Sequence, residues 1–245
     1  MQLLRNMQMT TETYHLKREL RILLCVITFS VFSFSETFGQ NRLPSIIEIT
    51  GKIGSKPDAH LLTPVLNAWH ISTTALYQWE NHLVIYSFMD NPAKLERRVA
   101  KLYPNSSLKI YQHPYYDFDR KQRCDNSDVA KEWDNILLTA DLVDNPKMQQ
   151  EYLQYHATQF KKWPGVAEGF CNARFQQLLG FKNGRQLMLV ISIPKGESLD
   201  KLNPKTTENN RQMVQWNTLM KKYQVGIPGI KPGEVWVFLK PVSNL

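Results

Sequence analysis

The chain has little of what marks the specialised protein classes. Its 245 residues contain only three Cys, too few for a disulfide-dense scaffold. Charged residues make up 21% and hydrophobic residues 42%, a balance that excludes intrinsic disorder and fibrous repeats. There is no G-x-S-x-G, no Walker loop and no dinucleotide glycine fingerprint. The His residues show no close spacing with Cys or carboxylates that suggests a zinc site. The formal charge of +8 is not gathered into a basic tail or an aromatic-interleaved basic stripe, so no nucleic-acid partner is expected.

What is present begins with an apolar run. Ile22 to Phe34 follows Lys17, Arg18 and Arg21 and precedes the small residues Thr37 and Gly39. The run is too short to span a bilayer comfortably and fits the apolar core of an export signal. Residues 1–39 are therefore expected to be a signal peptide cleaved after Gly39, leaving an exported, periplasmic protein with no integral membrane span. The alternative is an uncleaved N-terminal anchor. Loss of this segment removes Cys25, so Cys124 and Cys171 remain, in a compartment where two thiols can pair if the chain brings them together.

The rest reads as one element order used twice. In the second half, Trp133 to Val143 predicts a strand. Asn145-Pro146 opens a helix reaching about Trp163, where Pro164-Gly165 stops it. Phe170 to Leu179 and Arg185 to Pro194 are expected as strands across the Lys182-Asn183-Gly184 turn. Arg211 to Tyr223 is a helix with Val214, Leu219, Met220 and Tyr223 inward. Gln224 to Gly233 is a loop, and Glu234 to Pro241 closes as a strand. Strand, helix, hairpin, helix, strand is the ferredoxin-like βαββαβ order. The first half repeats it more briefly. Ile46 to Thr50 is a strand, a helix lies within Asp58 to Trp69, and Ile71 to Trp79 and His82 to Met89 meet across Glu80-Asn81. A helix capped by Asn91-Pro92 and a strand at Leu108 to Gln112 complete it. The expected class is α+β, with tandem ferredoxin-like units over 40–116 and 133–245 and a linker over 117–132. The free sheet face of each unit needs cover, from its mate in the chain or from another molecule.

One helix carries the chemistry-bearing pattern. Tyr152 and His156 lie four residues apart and share a face, and Gln159 and Trp163 continue the stripe. An imidazole titrates near neutrality and can give or take a proton. A phenol beside it can hydrogen-bond a sugar or enol oxygen, and Trp163 or Trp216 can stack on an apolar sugar face. The competing reading is ordinary core packing, the usual fate of such a stripe. Cys171 is weighed as a nucleophile but reads better as a structural thiol or disulfide half. The segment Tyr115 to Arg120 is aromatic and charged, and reads better as a linker packed onto the domains than as a site wall. The loop 224–233 is long and Gly-rich enough to close over a ligand.

These motifs together resemble the L-rhamnose mutarotase family, including relatives assigned to L-fucose. The likeness runs over about 133–241. It rests on Glu151-Tyr152-x-x-x-His156 with Trp163-Pro164, the strand Arg185 to Val190, Trp216-x-x-x-Met220 and Glu234-x-Trp236. The resemblance implies ferredoxin-like subunits paired as dimeric α/β barrels, here as a homodimer through the C-terminal domain or as two halves of one chain. It implies exchange of the α and β anomers of a six-carbon deoxysugar, with a monosaccharide as partner and no metal or organic cofactor. Carried over, His156 matches the proton-donating His, Tyr152 a substrate-binding Tyr and Trp216 a substrate-contacting Trp. Asn217 stands where the family often has a second Trp. The family's strand-two Tyr is missing from Arg174-Phe175-Gln176-Gln177, and Gln176 is the expected polar replacement. The first half lacks any Tyr-x-x-x-His and reads as a degenerate copy. Two other functions remain open: a non-catalytic sugar-binding module, and a cofactor-free oxygenase of the same barrel type, which would need an apolar pocket around His156.

Overall fold

A computed structural model describes residues 43–125 and 128–243. The expected signal peptide, 1–39, lies outside the described residues. The strands are β1 (Ser45–Thr50), β2 (Leu76–Trp79), β3 (His82–Ser87), β4 (Ser107–Tyr111), β5 (Tyr116–Asp119), β6 (Trp133–Leu142), β7 (Gln177–Asn183), β8 (Gln186–Pro194), β9 (Gln224–Val225) and β10 (Val237–Pro241). The longer helices are α1 (Thr63–Ala68), α2 (Pro92–Leu102), α3 (Pro146–Lys162), α4 (Pro164–Asn172) and α5 (Arg211–Met220).

Helix starts follow a repeated rule. The side chains of Asn91, Asn145 and Asn210 accept from the amides of Lys94, Met148 and Met213, satisfying donors that a first helical turn leaves open. Pro92 and Pro146 fill the next position, where no amide is needed. Hairpin loops are two residues long. Glu80-Asn81 joins β2 to β3 with Glu80 at φ +44°, and Gly184-Arg185 joins β7 to β8 with Gly184 at φ +59°.

The strands form one antiparallel sheet in the order β4-β1-β3-β2-β10-β6-β8-β7-β5, with β9 against β6. Each half contributes the same internal order: β4-β1-β3-β2, then β10-β6-β8-β7. The halves join within the chain, where Lys240 and Pro241 of β10 pair with Gln78 and Tyr77 of β2. The sheet curls far enough for Asn183, at the end of β7, to donate its side-chain amide to the Ile110 carbonyl of β4 at 3.0 Å.

Period-two alternation sorts the side chains into three layers. Inward residues of both halves fill the curl: Ile46, Tyr77, Val84, Tyr86 and Tyr111 meet Leu137, Leu179, Phe181, Met188, Val190 and Leu239. On the outer face, Ile47, Ile49, Leu83 and Ile85 pack under α1 and α2 with Leu66, Leu95 and Val99. Leu138, Leu142, Leu178, Leu187 and Ile191 pack under α3, α4 and α5. The interior also holds a polar knot between the halves. Glu48, fully buried, accepts from His82 Nδ1 at 2.7 Å, Tyr111 Oη at 2.7 Å and Gln186 Nε2 at 2.8 Å. Lys109 donates to the Gln186 side-chain oxygen. Burial pushes the Glu48 carboxyl up, but the bond to His82, that ring's charge, Tyr111 and Lys109 outweigh it and hold it below the usual range.

Several sequence expectations need correction. Residues 117–132 are more than an irregular linker. The strand β5, which begins at Tyr116, forms the sheet edge beside β7, followed by a helical turn at Arg120–Arg123. Pro164-Gly165 does not end the helical region: Pro164 starts α4, so the expected strand from Phe170 begins only at Gln177. The two glycines of α4 serve close packing, since a side-chain carbon on Gly169 would lie 2.6 Å from the Thr206 carbonyl. In α5 the inward face is Met213, Trp216 and Met220, with Tyr223 just beyond it, while Val214 is 50% exposed. The inner sheet face of the second half is covered by the first half of the same chain.

Candidate functional site

The Tyr152–His156 stripe faces a cavity of about 440 Å³. Its floor is the outer face of β7 and β8, with Leu178, Gly180, Leu189 and Ile191. Its walls are α3, α4 and α5, with Val166, Phe170, Met213 and Trp216. Tyr115, Gln224 and Trp236 complete it from neighbouring segments. The cavity lies between sheet and helices, separate from the packed interior of the curl.

His156 is boxed by aromatic rings. Tyr152 lies 4.3 Å away between centroids, and Tyr115, Tyr116 and Trp216 meet the imidazole edge to face at 5.4, 5.4 and 5.1 Å. Its Nδ1 lies 2.9 Å from the Tyr152 carbonyl, an acceptor only, so Nδ1 carries a proton and Nε2 holds a lone pair in the neutral ring. Burial lowers the imidazole pKa to about 4, and the bond to the Tyr152 backbone offsets only part of the shift. At neutral pH the ring is therefore uncharged and takes a proton before it can give one, the reverse of the proton-donating role that the resemblance implies.

A hydrogen-bonded series runs beside it. Trp236 Nε1 donates to Gln224 Oε1 at 3.2 Å, Gln224 Nε2 donates to Tyr152 Oη at 3.3 Å, and Tyr152 Oη lies 3.0 Å from Tyr115 Oη. Burial raises the pKa of both phenols, so they stay protonated across the neutral range.

The sequence-predicted residues divide between site and frame. Tyr152, His156 and Trp216 come together in the cavity. Trp216 presents an edge to His156 instead of an open stacking face. Trp163 stands behind it, its ring 5.8 Å from that of Trp216, and does not line the cavity. Gln159 is structural: it accepts from Tyr116 Oη at 2.8 Å and donates to the Trp163 carbonyl at 2.8 Å. Gln176 is also structural and lies outside the cavity. It accepts from the Ala130 amide at 2.8 Å and donates to the Arg174 carbonyl at 2.9 Å, tying down the segment before β6. The expectation that it replaces a substrate-facing phenol is therefore corrected. Cys171 is bonded to Cys124 and has no free thiol. A wider groove beside this disulfide holds none of the Tyr152–His156 stripe. Among the described residues, no cluster of three or more His, Cys, Asp or Glu could hold a metal ion, and no helix is long and apolar enough to cross a membrane. Tyr115 and Gln224 are the principal residues that sequence reading did not select: Tyr115 falls in the segment read as a packed linker, and Gln224 in the loop read as able to close over a ligand.

A curled antiparallel sheet with helices on its outer side, and a His–Tyr cavity between them, defines a mixed α/β binding or catalytic module. More particularly, residues 135–245 match the L-rhamnose mutarotase family model, so the second half of the chain is L-rhamnose mutarotase-like. An L-fucose mutarotase of Xanthomonas campestris pv. campestris is 28% identical over 102 residues, covering 41% of this chain and 79% of that protein. Two solved structures are more distantly similar. A protein described as a candidate monooxygenase from Fusobacterium nucleatum shares 7% identity with a TM-score of 0.44, over 82% of this chain and 92% of that one. A heme-degrading enzyme from Listeria monocytogenes shares 12% identity with a TM-score of 0.35, over 80% of this chain and 98% of that one. At these scores neither bears on the reading of the site.

Proposed function

We propose that the protein is a sugar mutarotase that interconverts the α and β anomers of a 6-deoxyhexose such as L-rhamnose or L-fucose. The observation that carries this reading is His156, held by the Tyr152 carbonyl in the tautomer that leaves Nε2 free, inside a cavity with phenols at its edge. The family match over the same half supports it. A cavity of about 440 Å³ falls in the usual range of small-molecule sites, roughly 300–1,000 Å³. Its apolar wall of Val166, Phe170 and Met213 suits a methyl-bearing sugar. The polar groups around His156 favour a sugar over the aromatic substrate of a cofactor-free oxygenase.

In the proposed reaction, His156 Nε2 takes the proton of the anomeric hydroxyl. The bond between C1 and the ring oxygen breaks as that oxygen receives a proton from a donor in the cavity. The open aldehyde turns about its C1–C2 bond. The steps then reverse on the other carbonyl face, returning both protons. Trp216 shapes the wall beside the imidazole.

The two halves fit a tandem of ferredoxin-like units closed on each other in the manner of a dimeric α/β barrel, since each repeats the same strand order. The chain is proposed to be exported to the periplasm. The basic start and apolar run within 1–39 support this, as does the Cys124–Cys171 pair, which suits an oxidising compartment.

NMR magnetisation exchange between the anomers of L-rhamnose and of L-fucose tests the activity. Purified protein is expected to accelerate exchange well beyond buffer, and His156→Ala to lose that acceleration by about 100-fold or more. Sugar binding with no faster exchange would point to a binding module instead, and full activity in His156→Ala would remove His156 from the chemistry.

A further inference from the structure

We infer that Tyr115, contributed by the segment joining the two halves, is the group that protonates the ring oxygen. This deepens the mutarotase reading and rests on it. Tyr115 lies outside the residues matched by the family model, which begin at 135. The fold nevertheless brings it into the cavity. Its backbone amide donates to the Gly180 carbonyl at 2.8 Å as the chain enters β5. Its ring then crosses Gly180, where a side-chain carbon would meet Tyr115 Cζ at 2.9 Å and Oη at 3.0 Å. Gly180 thus leaves a gap in the cavity floor that the Tyr115 phenol fills.

The hydrogen-bonded series ends at this phenol. Trp236 and Gln224 use their N–H groups toward Tyr152, whose oxygen accepts from Gln224. Either phenol can donate in the Tyr152–Tyr115 pair. A phenol accepting that bond keeps one O–H of its own, and Tyr115 is the last member of the series beside His156, with the rings 5.4 Å apart. A base at Nε2 and an acid at Tyr115 Oη on one cavity give the pair of groups that opening a hemiacetal needs: one proton leaves the anomeric hydroxyl as another reaches the ring oxygen. The phenol proton is restored on reclosure, so no outside reagent is consumed.

The test compares the full-length protein with Tyr115→Phe and Gly180→Ala by anomer-exchange NMR over a range of sugar concentrations, with thermal unfolding as a check on folding. Tyr115→Phe is expected to lower kcat about 100-fold with KM changed little, because the proton is needed in the transition state more than in the bound ground state. Gly180→Ala, which pushes the ring from its place, is expected to lower kcat in the same direction, and to add little in the Tyr115→Phe background. Wild-type kcat in Tyr115→Phe, or a rise in KM alone, overturns the assignment while leaving the mutarotase reading intact. Failure of the wild-type protein to speed exchange of either sugar overturns both.

Discussion

At the residue scale, the environment of His156 decides what the imidazole does. A surface His would be partly charged near neutrality, but burial among Tyr115, Tyr116, Tyr152 and Trp216 lowers its pKa to about 4. If His156 is the base of the proposed anomer exchange, the rate should be nearly flat with pH above about 5 and fall as pH drops through about 4, when Nε2 gains a proton. The same shift is linked to stability. The unfolded chain binds a proton on this ring below the ordinary value of 6.5, whereas the folded chain resists it down to about 4. The contribution is fully present above pH 6.5 and is lost progressively as pH falls toward 4, by roughly 2–3 kcal/mol. Urea titrations at several pH values, with and without His156→Phe, should show this slope shrinking in the variant. The stripe of Tyr152, His156, Gln159 and Trp163 was legible from spacing alone. Its division into site and frame was not, because Gln159 and Trp163 are turned from the cavity by partners distant in sequence, Tyr116 and Trp216.

At the element scale, the segment between the halves is more than a connection. It supplies β5 to the sheet edge, Tyr115 to the cavity and Cys124 to the disulfide with Cys171 at the end of α4. Nothing in its own pattern requires a strand, since only the open edge of β7 makes one favourable there. The bond closes a loop of sequence separation 47 and restricts the unfolded chain. Replacing both cysteines by serine should cost about 2–4 kcal/mol in denaturant unfolding. Because the bond anchors the stretch just after β5, the proposed anomer exchange should also become more sensitive to heat than in the wild type. The expected strand at Phe170 failed for a related reason. Pro164-Gly165 is a stop signal on a free helix, but here Gly165 and Gly169 let α4 lie close against Asn210 and Thr206, and that packing carries the helix onward.

At the scale of the whole molecule, the two halves depend on each other. The inner face of the second half, with Leu137, Leu179, Phe181, Met188, Val190 and Leu239, is covered by β1 to β4 of the first. The Glu48 knot bridges them through Gln186. A fragment spanning 133–245 would expose that face as a continuous apolar surface. Such a fragment should associate in solution, running as a dimer or larger on size-exclusion chromatography where the full chain runs as one copy under the same conditions. A monomeric, soluble fragment would show that the inner face needs no cover.

The sequence by itself determined most of the element order, the helix caps at Asn91 and Asn145, the places of the two hairpins and the shared face of Tyr152 and His156, though the second turn falls at Gly184-Arg185 and not at Lys182-Asn183-Gly184. These follow from caps, turn residues and periodicities that act over a few neighbouring positions. The tertiary structure decided the rest. It joined β10 to β2, brought Cys124 to Cys171, withdrew Gln176 from the site and set Tyr115 over Gly180. Those outcomes turn on which surfaces meet after the sheet has curled, and burial and pairing between residues far apart in the chain leave no periodic trace in the sequence.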